Sequence, residues 1–485
     1  MDGLYNARMT RDEVLNRLHA CPLVASVQAS PGSTVDDPKT LLKLGQASQA
    51  QGVTLLRLQG FDNIKTIREG TGLPAFGLIK RTYEGTPVYI TATKREVDEI
   101  LSTGSEIVTL DGTARPRPNN EQLADLIAYA HQRGALVLAD IDTVESADYA
   151  TKAGADFLST TLAGYTDEQA LTRGPDLEVL RQVVKQATIP VFAEGRFTQA
   201  WEVEAARRIG AIGVIVGGAL NDPVKQTIAL KPPEPPADGK QIGAIDIGGT
   251  WLRFARFSPD WKMLDSHRTP NPPTREDRLA WIRDRIAESN VERIGVSTGG
   301  IVDPETGIVW KAKEYLMHDH IGIEFSTRTL GIPTHAFGDG HATAWAHANL
   351  PEFAGLRVAT LAIGTGLGAG FVREGKLWCG RRGEYPRVND LPAPGGGTYE
   401  DLLGGIHLTK DPSEEQQANA ITALEEATKA VRNLYFPDIL VIGGSVGLSP
   451  WLAPHLARLD LIPSSLGGDA GLYGAAALAL YPTYW

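Results

Sequence analysis

Eight short apolar runs in the first half of the chain finish on Gln28, Arg57, Lys80, Asp111, Asp140, Thr161, Glu194 and Gly217. One polar ending is ordinary capping. A whole ring of them at the same ends of parallel strands is the layout of a pocket. Lys80 and Glu194 are the pair with chemistry to offer. An ammonium in a partly dry mouth is desolvated, its pKa falls, and it becomes a base near neutral pH. Glu194 is then the partner acid. The plainer alternative for Lys80 is a salt bridge to Asp140 or Glu194. No His, Asp or Glu group here has metal-ligand spacing, so this half is expected to work without metal or cofactor. Ala193-Glu194-Gly195-Arg196 and Val216-Gly217-Gly218-Ala219 place glycines where backbone N–H groups could approach a phosphate. Glycines that only turn the chain are the alternative.

The second half carries a different device. Ile242–Ile247 runs into Gly248-Gly249-Thr250 and then the alternating Leu252–Phe257, a hairpin whose turn amides could face a phosphate. Asp246 sits where Mg²⁺ would need a hard oxygen ligand, through water. Val358–Ile363, Gly364-Thr365-Gly366 and Phe371-Val372-Arg373 repeat the device, and Ile439–Ile442 leads into Gly443-Gly444. Two lobes, each with a phosphate hairpin, describe an actin-like ATPase fold with ATP in its cleft. Asp339 ends a strand before a run of small residues. There it could accept a proton from a sugar hydroxyl attacking a γ-phosphate, or merely cap a helix.

The elements that must position these groups are legible as patterns. The runs Leu23–Gln28, Thr54–Gln59, Ala75–Lys80, Glu106–Asp111, Ala135–Ile141, Phe157–Leu162, Pro190–Gly195 and Gly213–Gly218 are nearly continuous in apolar character, as strands buried on both faces are. Amphipathic segments separate them, with Leu41, Leu44 and Ala47 on one face and Leu123, Leu126, Ile127 and Ala130 on another. Eight such units predict a (β/α)₈ TIM barrel. Four prolines in five positions, 232–236, then predict an extended, semi-rigid linker. The expected organisation is a barrel over 1–230, a linker over 231–240 and the two-lobed fold over 241–485, an α/β chain throughout. Ser413 and Gln416 form a capping box for the helix through Leu434.

A chain of 485 residues exceeds one core. With 42% hydrophobic and 22% charged residues it has globular composition. A net charge of −11 excludes a basic nucleic-acid surface. Cys21 and Cys379 make neither a disulfide framework nor a thiolate zinc site. Met1–Asn6 lack a signal pattern, and no apolar run approaches the ~20 residues of a membrane span. A cytoplasmic protein without membrane contact is expected, assembled as a homo-oligomer, a dimer.

Over residues 20–225 the blocks Ser26–Ala29, Gly77–Arg81, Val88–Thr93, Leu110–Pro118, Thr160–Thr166 and Ala193–Arg196 resemble N-acetylmannosamine-6-phosphate 2-epimerases. The resemblance implies interconversion of N-acetylmannosamine 6-phosphate and N-acetylglucosamine 6-phosphate. It implies Lys80 and Glu194 as the proton-transfer pair, Gln28, Arg57 and Asp140 on the sugar, and Gly195, Arg196, Gly217 and Gly218 around the phosphate.

Over about 241–480, Asp246–Thr250, Gly295–Gly300, Gly338-Asp339, Gly364–Gly368, Gly383-Glu384 and Val441–Gly444 resemble the ROK sugar kinases, and within them N-acetylmannosamine kinases. This implies Asp339 as catalytic base, Gly299, Gly300, Glu384 and Glu400 on the sugar, and Asp246, Gly248, Gly249, Thr250, Gly364, Thr365, Gly366, Gly443 and Gly444 on MgATP. Three departures stand out. Gly338 replaces the family's asparagine, Arg387 replaces its histidine, and Gly395-Gly396-Gly397 stands where a cysteine-rich zinc loop would be. No structural zinc is expected, and the sugar preference stays open. His318-Asp319-His320 is read as an exposed polar loop. Together the resemblances imply amino-sugar and sugar-phosphate substrates and consecutive steps of sialic acid breakdown. The competing expectations are a hexokinase or glucokinase second half, or a ROK sugar sensor without catalysis. The sensor would need a DNA-binding segment, where this chain has a barrel and an acidic balance.

Overall fold

The structure is a computed structural model describing residues 9–166, 174–231, 234–313, 317–393, 395–408 and 411–481. The chain divides into two compact units, Met1–Lys231 and Pro232–Trp485. Met1–Asn6 and the linker prolines Pro232 and Pro233 lie outside the described residues.

In the first unit β1 (Leu23–Val27), β2 (Leu56–Gln59), β3 (Ala75–Leu78), β4 (Ile107–Asp111), β5 (Leu136–Asp140), β6 (Phe157–Ser159), β7 (Val191–Glu194) and β8 (Gly213–Val216) close into an all-parallel barrel. Its interior floor holds one residue per strand run: Val24, Leu55, Phe76, Ile107, Leu138, Phe157, Phe192 and Ile215. Phe192 meets Phe76 and Phe157 edge to face, with ring centroids 5.2 and 5.7 Å away. Val14 and Leu18 from helix Arg11–Ala20 join this layer, and a Thr10–Glu13 capping box starts that helix.

Strand side chains alternate with period two. The next inward position on each run is therefore Ser26, Arg57, Leu78, Thr109, Asp140, Ser159, Glu194 and Gly217. The one after holds Gln28, Lys80, Asp111 and Thr161. The ring expected from sequence is thus two tiers. On helix Pro38–Ala50 Leu41 is buried and Leu44 packs against the core as expected, while Ala47 is exposed and Gly45 takes the buried place beside Ile67.

The second unit holds two five-stranded sheets of matching order. The first runs Met263–Pro270, Trp251–Phe257, Gln241–Ile247, Val291–Thr298, Thr334–Gly338; the second Lys376–Leu377, Leu367–Arg373, Val358–Ile363, Ile439–Gly443, Ile462–Pro463. In each the third strand pairs antiparallel with the second and parallel with the fourth. This is the duplicated, two-lobed arrangement expected. Helices Asp339–Ala348 and Ala470–Leu480 pack against one another and against the sheets. Their approach is close: a Cβ on Gly474 would lie 2.0 Å from the Ala342 carbonyl oxygen, and one on Gly340 2.1 Å from that of Ala369. Ser413 and Gln416 cap helix Glu414–Tyr435 as the sequence predicts.

The prolyl segment is not a bare spacer from Glu234 onward. Arg293 donates to the Glu234 carbonyl at 3.2 Å, and the Ala237 N–H donates to Glu292 at 2.8 Å. Pro392 bridges Thr398, so Gly395–Gly397, all at positive φ, form the tip of a small loop.

Candidate active sites

The barrel mouth is built around Arg57, whose side chain is 2% exposed. It donates to Asp140 through Nη1 at 3.0 Å and Nη2 at 2.7 Å, and Nη1 lies 3.3 Å from Glu194 Oε2. β2, β5 and β7 supply the three residues, so closure of the barrel brings them together. Thr161 and Ser159 add hydroxyls beside Glu194, at 2.8 and 3.2 Å. Burial is the main force raising the Glu194 pKa; Arg57 opposes it and Asp140 adds to it.

Lys80 lies just past β3, in an isolated bridge with Ile90. Its side chain opens to solvent at the mouth, yet its amine donates to Gln28 Oε1 at 3.0 Å. Desolvation first, then the Arg57 charge, lower its pKa below the usual lysine value, against the pull of Glu194 and Asp140. The partners of Asp140 and Glu194 are Arg57 nitrogens, and the Lys80 amine goes to Gln28 instead, so the simple salt-bridge alternative is not what the geometry offers.

At the loops after β7 and β8, Gly195 and Arg196 have φ of 109° and 61°, and Gly217 precedes the short helix Gly218–Asn221. The Arg196 guanidinium braces neighbouring loops, donating to the carbonyls of Gly174 at 2.9 Å and Ala163 at 3.0 Å. Lys225 runs past Gly218, its Cδ 3.1 Å from where a Cβ would stand, and its charge helps lower the Lys80 pKa. The sequence did not single out Lys225; a cation one helix after a glycine turn has no distinctive spacing.

The second unit holds a cavity of about 250 Å³ between its sheets. Asp246, Gly248, Gly249, Gly299, Gly300, Asp339, Gly364, Thr365, Gly366, Glu400 and Gly444 line it, as do Arg253, Lys311, Lys313, Tyr385, Arg387 and Asn389. Thr250, Gly443 and Glu384 are not among the lining residues. Glu384 is turned into its own tight loop, where its Oε2 accepts from the Arg382 N–H at 2.8 Å.

Asp339 is the first residue of its helix and Gly338 is the cap, so the carboxylate is not a cap itself. Its Oδ1 accepts from the Gly340 N–H at 2.7 Å. Burial, reinforced by the charges of Asp246 and Glu400, pushes its pKa up to about 6. Glu400 receives Lys313 at 2.9 Å and Asn389 at 2.9 Å. Asp246 accepts from Arg253 at 2.6 Å and from Ser297 at 2.8 Å. Arg253 was legible in principle: it is the register partner of Asp246 across the hairpin.

The His318–His320 reading needs correction. His318 is exposed, but His320 is fully buried, sharing hydrogen bonds with Thr298 at 2.8 Å and Arg278 at 3.2 Å. Burial and then the Arg278 charge hold its pKa down at about 3. No cluster of three His, Cys, Asp or Glu residues able to hold a metal occurs among the described residues. Among them, too, no helix is long and apolar enough to cross a membrane.

The first unit is thus a (β/α)₈ barrel with a charged mouth, and the second a two-lobed α/β fold with a glycine-lined cleft. The sequence model of the NanE family, described as "Putative N-acetylmannosamine-6-phosphate epimerase", matches residues 41–230, and that of the ROK family matches 242–388. A relative of the same epimerase description from Clostridioides difficile is 40% identical over 201 residues, covering 41% of this chain and 90% of the relative. A bifunctional enzyme NanE/NanK of Brucella melitensis is 28% identical over 525 residues, covering 96% of this chain and 98% of the relative. A solved N-acetylmannosamine-6-phosphate 2-epimerase from Clostridium perfringens is 36% identical, covers 46% of this chain and 98% of that chain, with a TM-score of 0.45. The chain belongs to the N-acetylmannosamine-6-phosphate 2-epimerase family and carries a ROK family domain behind its barrel.

Proposed function

We propose that the second unit phosphorylates N-acetylmannosamine with ATP and that the barrel inverts the resulting 6-phosphate at C2 to give N-acetylglucosamine 6-phosphate, consecutive steps of sialic acid breakdown in the cytoplasm. The observation that carries the barrel reading is the Lys80 amine, tied to the neutral Gln28 and facing a mouth that also holds Glu194. Opening the sugar ring exposes a C1 aldehyde that acidifies the C2 proton. Neutral Lys80 takes that proton, and the C–H electron pair moves into the enolate. Glu194 delivers its own proton to the opposite face of C2, the enolate electrons forming the new C–H bond. Transfer from Lys80-NH₃⁺ to the Glu194 carboxylate through solvent resets the site. Arg57, Asp140 and Gln28 hold the open chain, and the backbone around Gly195, Arg196, Gly217 and Gly218 holds the phosphate.

In the kinase cleft, ionised Asp339 takes the proton of the attacking 6-hydroxyl while Glu400, Gly299 and Gly300 position the sugar. The glycine turns at 248–249 and 364–366, with Gly444, line the nucleotide's side. Asp246 fits a Mg²⁺ reached through water, since Arg253 and Ser297 already occupy its two oxygens. When bound, the ion neutralises phosphate charge.

One observation favours a second reading of the sugar. Glu384 is withdrawn from the cleft, and a Cβ at Gly338 would stand 2.7 Å from the Gly300 carbonyl oxygen. Two contacts implied by the ROK resemblance are therefore missing, so the sugar is held otherwise than in the family pattern, and a different hexose is the second reading. Incubating the protein with N-acetylmannosamine and MgATP, beside glucose and N-acetylglucosamine, and identifying the phosphosugars separates the readings. N-acetylglucosamine 6-phosphate from N-acetylmannosamine supports the first; turnover of glucose alone supports the second.

A further inference from the structure

Three oxygens converge on the Thr161 hydroxyl. Asp140 Oδ1 lies 2.7 Å from Thr161 Oγ1, Glu194 Oε2 2.8 Å and Ser159 Oγ 2.9 Å. A hydroxyl has one proton to give and two lone pairs to receive with. If Asp140 and Glu194 were both ionised, Thr161 could donate to only one of them. The other carboxylate would face a hydroxyl lone pair at hydrogen-bond distance, a repulsive contact in a buried site. Ser159 Oγ and Arg57 Nη1 also reach Glu194 Oε2, at 3.2 and 3.3 Å, but the short Thr161–Glu194 contact is attractive without sharing the Thr161 proton when one of the two carboxyls brings a proton of its own.

Arg57 decides which. It gives Asp140 two hydrogen bonds, at 3.0 and 2.7 Å, and approaches Glu194 with a single nitrogen at 3.3 Å. Asp140, with a side chain 0% exposed, is held as the carboxylate. A proton on Glu194 lets Thr161 donate to Asp140 and accept from Glu194.

We propose that Thr161 is a positioning residue of the barrel site, an ordered link that keeps a proton on Glu194 Oε2 by receiving it while giving its own to Asp140. The proposal rests on the epimerase reading above and deepens it: the link stores the proton that Glu194 delivers to C2. Thr161 is legible as a strand end, but its link to the two carboxyls and the proton count are not, since the partners lie 21 and 33 residues away. Burial first, and then the charge of Asp140, raise the Glu194 pKa. The hydrogen bond to Thr161 would by itself pull that pKa down if Thr161 were the donor, which gives the test its sign.

The charged and titratable groups facing Glu194 are Arg57 on β2, Lys80 beyond β3 and Asp140 on β5, with the Tyr89 hydroxyl near Arg57 and Asp140. The measurement is an infrared difference titration of the full chain. The protonated-carboxyl band is assigned to Glu194 by its loss in Glu194→Gln, and Thr161→Val is compared with Thr161→Ser. Removing a hydroxyl that accepts from Glu194 makes the proton easier to lose, so in Thr161→Val the band disappears at lower pH than in wild type. Thr161→Ser, which keeps the hydroxyl, retains the wild-type midpoint. With N-acetylmannosamine 6-phosphate in D₂O, kcat for exchange at C2 drops roughly 10²-fold in Thr161→Val while KM stays within about twofold. A band that persists to higher pH in Thr161→Val, or no Glu194-dependent band in wild type, overturns the proposal. The infrared arm needs no turnover. A wild-type band with the expected Thr161→Val shift but no C2 exchange in any variant upholds the proton link and counts against the epimerase reading alone.

Discussion

Arg57 and Asp140 meet face to face in the barrel mouth, Nη1 to Oδ1 at 3.0 Å and Nη2 to Oδ2 at 2.7 Å, both side chains shut away from solvent. Such a pair is a weak source of stability when intact and a costly one to break, because the survivor is a buried charge without its partner. Arg57→Met leaves Asp140 beside Glu194 with no cation gripping either. It is expected to lower the unfolding free energy of the barrel by about 3–5 kcal/mol, read by urea denaturation. A loss below about 1 kcal/mol would mean that water reaches the pair.

Asp339 should set the pH dependence of phosphorylation. Its pKa is raised to about 6, and the base must be ionised, so kcat climbs as pH rises through about 6 and levels above it. The stability effect has the opposite sign. The folded state holds this proton more tightly than the unfolded chain, so stability falls as pH rises from the ordinary aspartate value of 3.8 through about 6. Asp339→Asn is expected to abolish phosphorylation by roughly 10²–10⁴-fold and to melt at a higher temperature than wild type above that window. A phosphorylation profile flat between pH 5 and 7 would remove Asp339 from the role.

His320 gives the second unit an acid limit. Its folded pKa, about 3, lies below the ordinary histidine value of 6.5, so the unfolded chain protonates first. Stability is complete above 6.5 and declines as pH falls from there toward 3. His341 acts in the same direction, held at about 4 by burial. Thermal melts between pH 7 and 4 should show the ROK unit losing stability, and His320→Gln should flatten the slope while lowering the plateau. An unchanged slope in His320→Gln would assign the acid limit elsewhere.

Restoring the family's asparagine is expected to fail. The Gly338→Asn side chain begins 2.7 Å from the Gly300 carbonyl oxygen and 3.6 Å from the Tyr385 ring. Backbone cannot yield as a flexible side chain can, so the variant should lose about 1–3 kcal/mol and show a lower kcat/KM for every sugar tried. A gain in kcat/KM for N-acetylmannosamine would show that the cleft opens to accept the contact.

The strands were legible because parallel strands buried on both faces leave near-continuous apolar runs. Their ends were less so. The Ala75–Lys80 run overshoots β3, which stops at Leu78, because Lys80 pairs with Ile90 outside the barrel sheet. The chemistry of Lys80 could be read from a lysine at a strand end, whereas the service of Thr161 could not. It exists only after β5, β6 and β7 bring their oxygens to one point. His318-Asp319-His320 misled for the same reason. Arg278, about forty residues upstream, and Thr298 bury one histidine of a polar triplet and leave the other in solvent. The Gly383-Glu384 motif points Glu384 at the cleft, and the local turn from Gly380 takes its carboxylate instead.

The central claim is that one chain holds two chemically separate sites, and Lys80→Ala tests it most directly. The variant is given N-acetylmannosamine and MgATP in D₂O, and NMR follows both the phosphosugar and deuterium at C2. The account predicts N-acetylmannosamine 6-phosphate accumulating at the wild-type rate with C2 still carrying protium. Deuterium entering C2 at the wild-type rate, or phosphorylation lost together with exchange, would contradict it.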